Sequence, residues 1–131
     1  MPQFGNVPSG TLVNAAEKLV ATMSENELAT ALEERVGSMP SEARAALVAS
    51  VFEAFRDRGE SSEDAAEAAG VALDRIECAD PAAVASLVRY AGSNVGVLKE
   101  ATTLFVQTHP LLVDALPASV TDGIFARLAS P

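Results

Sequence analysis

The sequence predicts an all-α fold, a compact bundle of six to eight short helices around a central apolar helical hairpin at about residues 82–108. Three observations carry this. Apolar residues recur at helical spacing along most of the chain. Capping residues open the periodic segments, and glycine or proline closes them. No run combines strict alternation with the β-branched and aromatic content of a strand. The hairpin is placed at the centre because residues 82–113 carry only Arg89, Lys99 and Glu100 as charges. Val84, Leu87, Val88 and Ala91, then Val97, Leu98, Ala101, Leu104 and Phe105, leave almost no room for the wide polar face of a solvated helix.

Residues 1–8 hold two prolines and a glycine and read as an extended arm, with Phe4 as an anchor; residues 9–131 read as a single domain. Ser9 is placed to cap a first helix over 10–23, with Leu12, Ala16, Leu19, Val20 and Met23 inward. Ser24 and Glu27 spell a capping box for a second helix reaching Val36, where Gly37 supplies a left-handed stop. Pro40 suits the first turn of a third helix, whose stripe is Leu47, Val48, Val51, Phe52 and Phe55. Arg56 and Arg58 complement its negative end before Gly59. Ser61 and Asp64 start a short helix stopped by Gly70, and a shorter one is expected over 72–78. Asp80 and Pro81 open the fifth helix, closed by Gly92, and Ser93 or Asn94 is expected to cap the sixth, to about Thr108. Pro110 and Pro117 bracket a short apolar helix. Ser119 and Asp122 make a third box, for a last helix with Val120, Ile124 and Leu128 inward. Linkers of two to five residues lead us to expect consecutive helices to pack as hairpins.

The net charge of −9 is unevenly spread. Residues 60–80 hold seven acids against Arg75 alone, whereas residues 81–131 hold three acids and three bases. Glu60, Glu63, Asp64, Glu67, Asp74 and Glu77 therefore form a candidate docking face for a basic protein. The same field disfavours nucleic acid and anionic membranes as partners. The only cysteine, Cys78, excludes an intrachain disulfide or a multi-cysteine metal site. Its acidic neighbours argue for a buried or half-buried structural thiol rather than a reactive one. Residues 1–10 lack the basic start and apolar core of a secretory signal, and 101–113 is too short to span a bilayer. A cytoplasmic protein is expected.

The run 64–76 has Ala66 four residues before Gly70, then Val71 and Ile76, and resembles the helix-turn-helix of bacterial repressors of the LacI type. That resemblance implies a transcriptional regulator using residues 62–79. The carboxylates of Glu63, Asp64, Glu67, Asp74 and Glu77 would repel DNA phosphates, however, and Asp80 with Pro81 cuts the second helix short. The spacing reads as a structural corner. His109, the only histidine, precedes a proline at a helix end and is expected to bond a terminal carbonyl rather than act in catalysis. No Glu-x-x-His pair, calcium-loop pattern or phosphate loop is present, so no cofactor or metal is expected.

The expected function is a non-catalytic helical interaction or structural module, not an enzyme. Hydrophobic residues at 49% are many for a monomer of this size, so a homo-oligomer is expected, with a dimer the first choice. Leu112, Leu116, Ile124, Phe125 and Leu128, in the C-terminal half with no net charge, are its expected interface. Adjacent Ile124 and Phe125 point about 100° apart, so one of them must face away from the core.

Overall fold

The computed structural model describes residues 8–129, so the expected arm lies outside the described residues except for Pro8. Among the described residues there are eight α-helices, one 3₁₀ segment and no strand. They are α1 (Ser9–Thr22), α2 (Glu25–Val36), α3 (Ser41–Arg56), α4 (Ser62–Ala69), α5 (Leu73–Glu77), α6 (Pro81–Gly92), α7 (Val97–Thr108), the 3₁₀ segment Pro110–Ala115, and α8 (Ala118–Ala129).

Several helix ends form as their residues dictate. At α2 the Glu27 N–H donates to Ser24 Oγ and the Ser24 N–H donates to Glu27 Oε1, both at 3.1 Å. Ser61 Oγ accepts from the Asp64 N–H, and Asp80 Oδ2 from the Ala83 N–H. Gly70 adopts φ +77°, a conformation that a side chain would strain.

Other ends differ from expectation, each because another group took the bond. Ser9 is the first residue of α1, not its cap; the Leu12 N–H bonds the Pro8 carbonyl. Gly37 stays right-handed at φ −63°, and the carbonyls at this end are taken by Arg44, described below. Ser93 and Asn94 do not cap α7. Their side chains both donate to the Tyr90 carbonyl and so close α6. The residue before α7 is Gly96, whose N–H donates to Glu25 Oε1 at 2.8 Å. Ser119 lies inside α8, which starts directly after Pro117.

Both arms of the expected hairpin are central, with Val84, Leu87, Val88, Ala91, Val97, Leu98, Ala101 and Phe105 all buried. Each arm packs mainly on helices distant in sequence. α7 lies against α3 and α1, α6 against α2, and α8 against α1. The expectation of consecutive hairpins is corrected accordingly. One cause is Gly92, where an added Cβ would stand 2.6 Å from the Ala29 Cβ. The missing side chain lets α6 and α2 meet almost backbone to backbone. Gly123 plays the same part between α8 and Leu19 of α1. Thr102 is fully buried in α7, and its hydroxyl donates to the Leu98 carbonyl at 2.8 Å, which satisfies it inside the core.

Two substitutions test this packing. Phe52 is 7% exposed, and Phe52→Ala should cost roughly 3–5 kcal/mol through lost contacts and a residual cavity. A shift under about 1 kcal/mol in urea denaturation would contradict its place in the core. Gly92→Ala should destabilise by roughly 1–3 kcal/mol despite better helix propensity, because α2 and α6 must separate. A rise in thermal midpoint would contradict that close approach.

Candidate interaction surfaces

The acidic segment folds as a helical corner. Ala65 and Ala66 are buried, so α4 can approach its neighbours closely, and Gly70 reverses the chain. The Val71 N–H bonds the Ala66 carbonyl, and Ile76 on α5 is fully buried. The residues shared with the repressor-like pattern thus build the corner. α5 has only five residues.

Five of the six expected partner-binding acids, Glu63, Asp64, Glu67, Asp74 and Glu77, are exposed on α4 and α5. Glu60 is different. It is half-buried, and its Oε2 accepts a 2.8 Å hydrogen bond from the Tyr90 hydroxyl. The Tyr90 ring stacks on Phe55 with centroids 5.3 Å apart. The bond to Glu60, then burial, raises the Tyr90 pKa, so the phenol stays neutral. Glu60 is therefore a tie between the start of the acidic segment and α6. Glu77 shares a shallow groove of about 390 Å³ with Phe52, Arg56 and Ser62, so its charge has a basic neighbour.

Several basic side chains elsewhere are engaged by groups of the chain itself. Arg44 is half-buried and donates from Nε to the Ala79 carbonyl at 2.8 Å, and from a terminal nitrogen to the Met39 and Val36 carbonyls. Ala79 holds φ +59°, a conformation uncommon for alanine, with its carbonyl fixed by that bond. Arg35 donates to the Ala115 carbonyl, Arg89 pairs with Glu33 at 2.9 Å, and Arg58 pairs with Glu100 at 2.5 Å. The helical spacing places Arg44 on the outward face of α3 and Arg58 at its dipole; the structure instead turns Arg44 partly inward and ties both to groups far along the chain. Long-range bonds to single carbonyls carry no local sequence signal.

Cys78 is exposed, contrary to expectation. α5 ends at Glu77 and Ile76 takes the inward position, so Cys78 falls on the turn. His109 lies against Phe105, ring centroids 5.9 Å apart, in place of the expected side-chain bond to a carbonyl. Asp114 and Ser119, its neighbours in sequence, are both exposed. Among the described residues, no group of three or more His, Cys, Asp or Glu is placed to hold a metal. Nor is any helix long and apolar enough to cross a membrane.

The expected oligomer interface is split by the fold. Leu116 is 2% exposed and Ile124 is fully buried, so both belong to the core and have no area to offer a second copy. Leu112 and Leu128 are half-buried, and Phe125, 49% exposed, is the member of the Ile124–Phe125 pair that faces outward. Leu116 directly follows the 3₁₀ segment, which ends at Ala115, and its side chain is enclosed in the core.

No protein-family model matches the chain, and no curated protein or solved structure matches it.

Glu100 gives a pH prediction. Its carboxyl titrates above its ordinary value of 4.5, first because of burial and then because of Asp57 beside it; Arg58 opposes both. The folded state therefore binds the proton more tightly than the unfolded chain does. Its stabilising contribution is complete below the unfolded value and is lost as pH rises through the folded one. In paired denaturation series, stability of the native protein should fall more steeply over that interval than stability of Glu100→Gln. Parallel curves would contradict the assignment.

Proposed function

We propose that this protein is a non-catalytic helical interaction module that docks a basic protein segment on the outer faces of α4 and α5. The observation that supports this best is the exposure of Glu63, Asp64, Glu67, Asp74 and Glu77 on two consecutive short helices, with Arg75 as the one base in that segment. Such a surface steers a cationic partner at long range and repels anionic ones. Self-association, which the high apolar content favours, is a separate part of this proposal.

The transcriptional-regulator alternative has weaker support. Arg44 and Arg58, two cations that a phosphate-binding face would need, are engaged with backbone carbonyls and Glu100. The would-be recognition helix is five residues long and flanked by carboxylates. An enzymatic reading centred on His109 has less support, since its ring packs against Phe105 and its sequence neighbours Asp114 and Ser119 are exposed.

The test is titration with a fluorescent lysine- and arginine-rich peptide at low and physiological salt. Binding should be salt-sensitive, and Glu63→Gln combined with Glu67→Gln and Asp74→Asn should weaken it by roughly tenfold or more. Equal weakening by neutralising Glu42 and Glu53 on α3 would reduce the effect to net charge and overturn the assignment. Sub-micromolar binding to duplex DNA at physiological salt would favour the regulator.

A further inference from the structure

The groove between α1 and α7 has the charge pattern of a self-complementary surface. It is shallow, about 530 Å³ in volume, and its lining includes Val20, Ala21, Thr103 and Leu104. Glu17 lies on the α1 wall, and Lys99 and Glu100 lie on the α7 wall. Ala21 and Glu17 are exposed; Lys99, Thr103 and Leu104 are half-buried. Thus the centre is apolar or uncharged and the rims carry both signs.

We propose that this groove is the dimer interface, occupied by the same groove of a second copy. The first argument is charge. The chain carries −9, so two copies repel unless they meet where the local charge is balanced. The chain has only two lysines, Lys18 and Lys99, and both lie on these two helices. Lys18 follows Glu17 on α1 but does not line the groove, and Glu100 is already paired with Arg58 of α3. Among the described residues neither Glu17 nor Lys99 forms an ion pair within the chain. The walls are therefore close to neutral, with one unpaired charge of each sign.

The second argument is symmetry. A two-fold axis along the groove lays α1 of one copy over α7 of the other. Glu17 of each copy then faces Lys99 of its partner, and the contact occurs twice. The apolar floors meet between the two pairs, which gives an apolar centre inside a charged rim. α1 has 14 residues and α7 has 12, so the paired faces are about 21 and 18 Å long at 1.5 Å per residue. Two such helix pairs stacked face to face make a four-helix contact, a common bundle arrangement. The C-terminal third fits less well, because Leu116 and Ile124 are enclosed in the core. A strongly basic partner would also meet Lys99 here, and α4 and α5 suit it better.

The proposal is independent of the docking of a basic partner on α4 and α5; either can fail alone. The test is sedimentation equilibrium at 150 mM salt or thereabouts, up to about 100 μM protein, with circular dichroism to check that each variant is folded. The native protein should sediment as a dimer. Ala21→Glu changes an exposed helical position and should raise the dimer Kd at least roughly tenfold, since it sets like charge against the rim. Glu17→Lys or Lys99→Glu alone should weaken the dimer comparably. The double swap, Glu17→Lys with Lys99→Glu, should restore the Kd to within about threefold, because the cross-axis pairs re-form with their signs exchanged. Phe125→Ser should leave the dimer intact. A monomer at every concentration overturns the proposal. So does a dimer lost with Phe125→Ser but not with Ala21→Glu, which returns the interface to α8. Failure of the double swap to rescue also overturns it, because the facing of Glu17 and Lys99 is the geometry proposed.

Discussion

The burial of α7 is the constraint on which the rest of the structure depends. Val97, Leu98, Ala101, Thr102, Phe105 and Val106 are all buried on one twelve-residue helix. Their apolar face is too broad for one neighbouring helix to cover, so both α1 and α3 pack on it. Burying large apolar side chains is worth roughly 1.5–3 kcal/mol each, far more than any single surface pair in this molecule. α8 then finds its place on α1, and α6 pairs with α2 through the close approach at Gly92. Three polar side chains of α7, Lys99, Glu100 and Thr103, fall on the strip left open beside α1, which is why that groove has a mixed rim.

Helix ends explain much of the surface charge. Each short helix leaves carbonyls without intrahelical partners. Arg44 satisfies carbonyls at Val36 and Met39, and Arg58 satisfies Ala54 at the end of α3. Arg35 reaches Ala115 at the end of the 3₁₀ segment. Guanidinium groups suit this task because they present several donors in a planar fork. Basic groups used in this way leave the carboxylates of α4 and α5 as the dominant outward field. The acidity of the face therefore reflects its own Glu and Asp content and also where the arginines are engaged.

Local signals were legible at several ends where the partner lay within about a turn. Ser24 and Glu27 cap each other, Ser61 caps α4, Asp80 caps α6, and Gly70 turns the corner, all through bonds between residues three to five apart, as their pattern implied. Signals failed where a distant group competed. Ser93 and Asn94 have cap-forming side chains, yet they close the preceding helix, since Glu25 from α2 already holds the Gly96 N–H. Gly92 ends α6, as its place in the pattern implied, and is also a packing residue, which only the position of Ala29 reveals. The exposed acids were legible as a charge run; that Glu60 belongs to Tyr90 was not.

The sequence by itself determined the helical class, the approximate helix boundaries and the location of the acidic segment, because periodicity, capping and charge are properties of near neighbours along the chain. Only the tertiary structure decided which helices pair, which of Leu112, Leu116, Ile124, Phe125 and Leu128 remain accessible, and that Glu17 and Lys99 share one groove. Those facts depend on contacts between residues far apart in the chain. They are set by how broad apolar faces fit together, and no window of sequence contains both sides of such a contact.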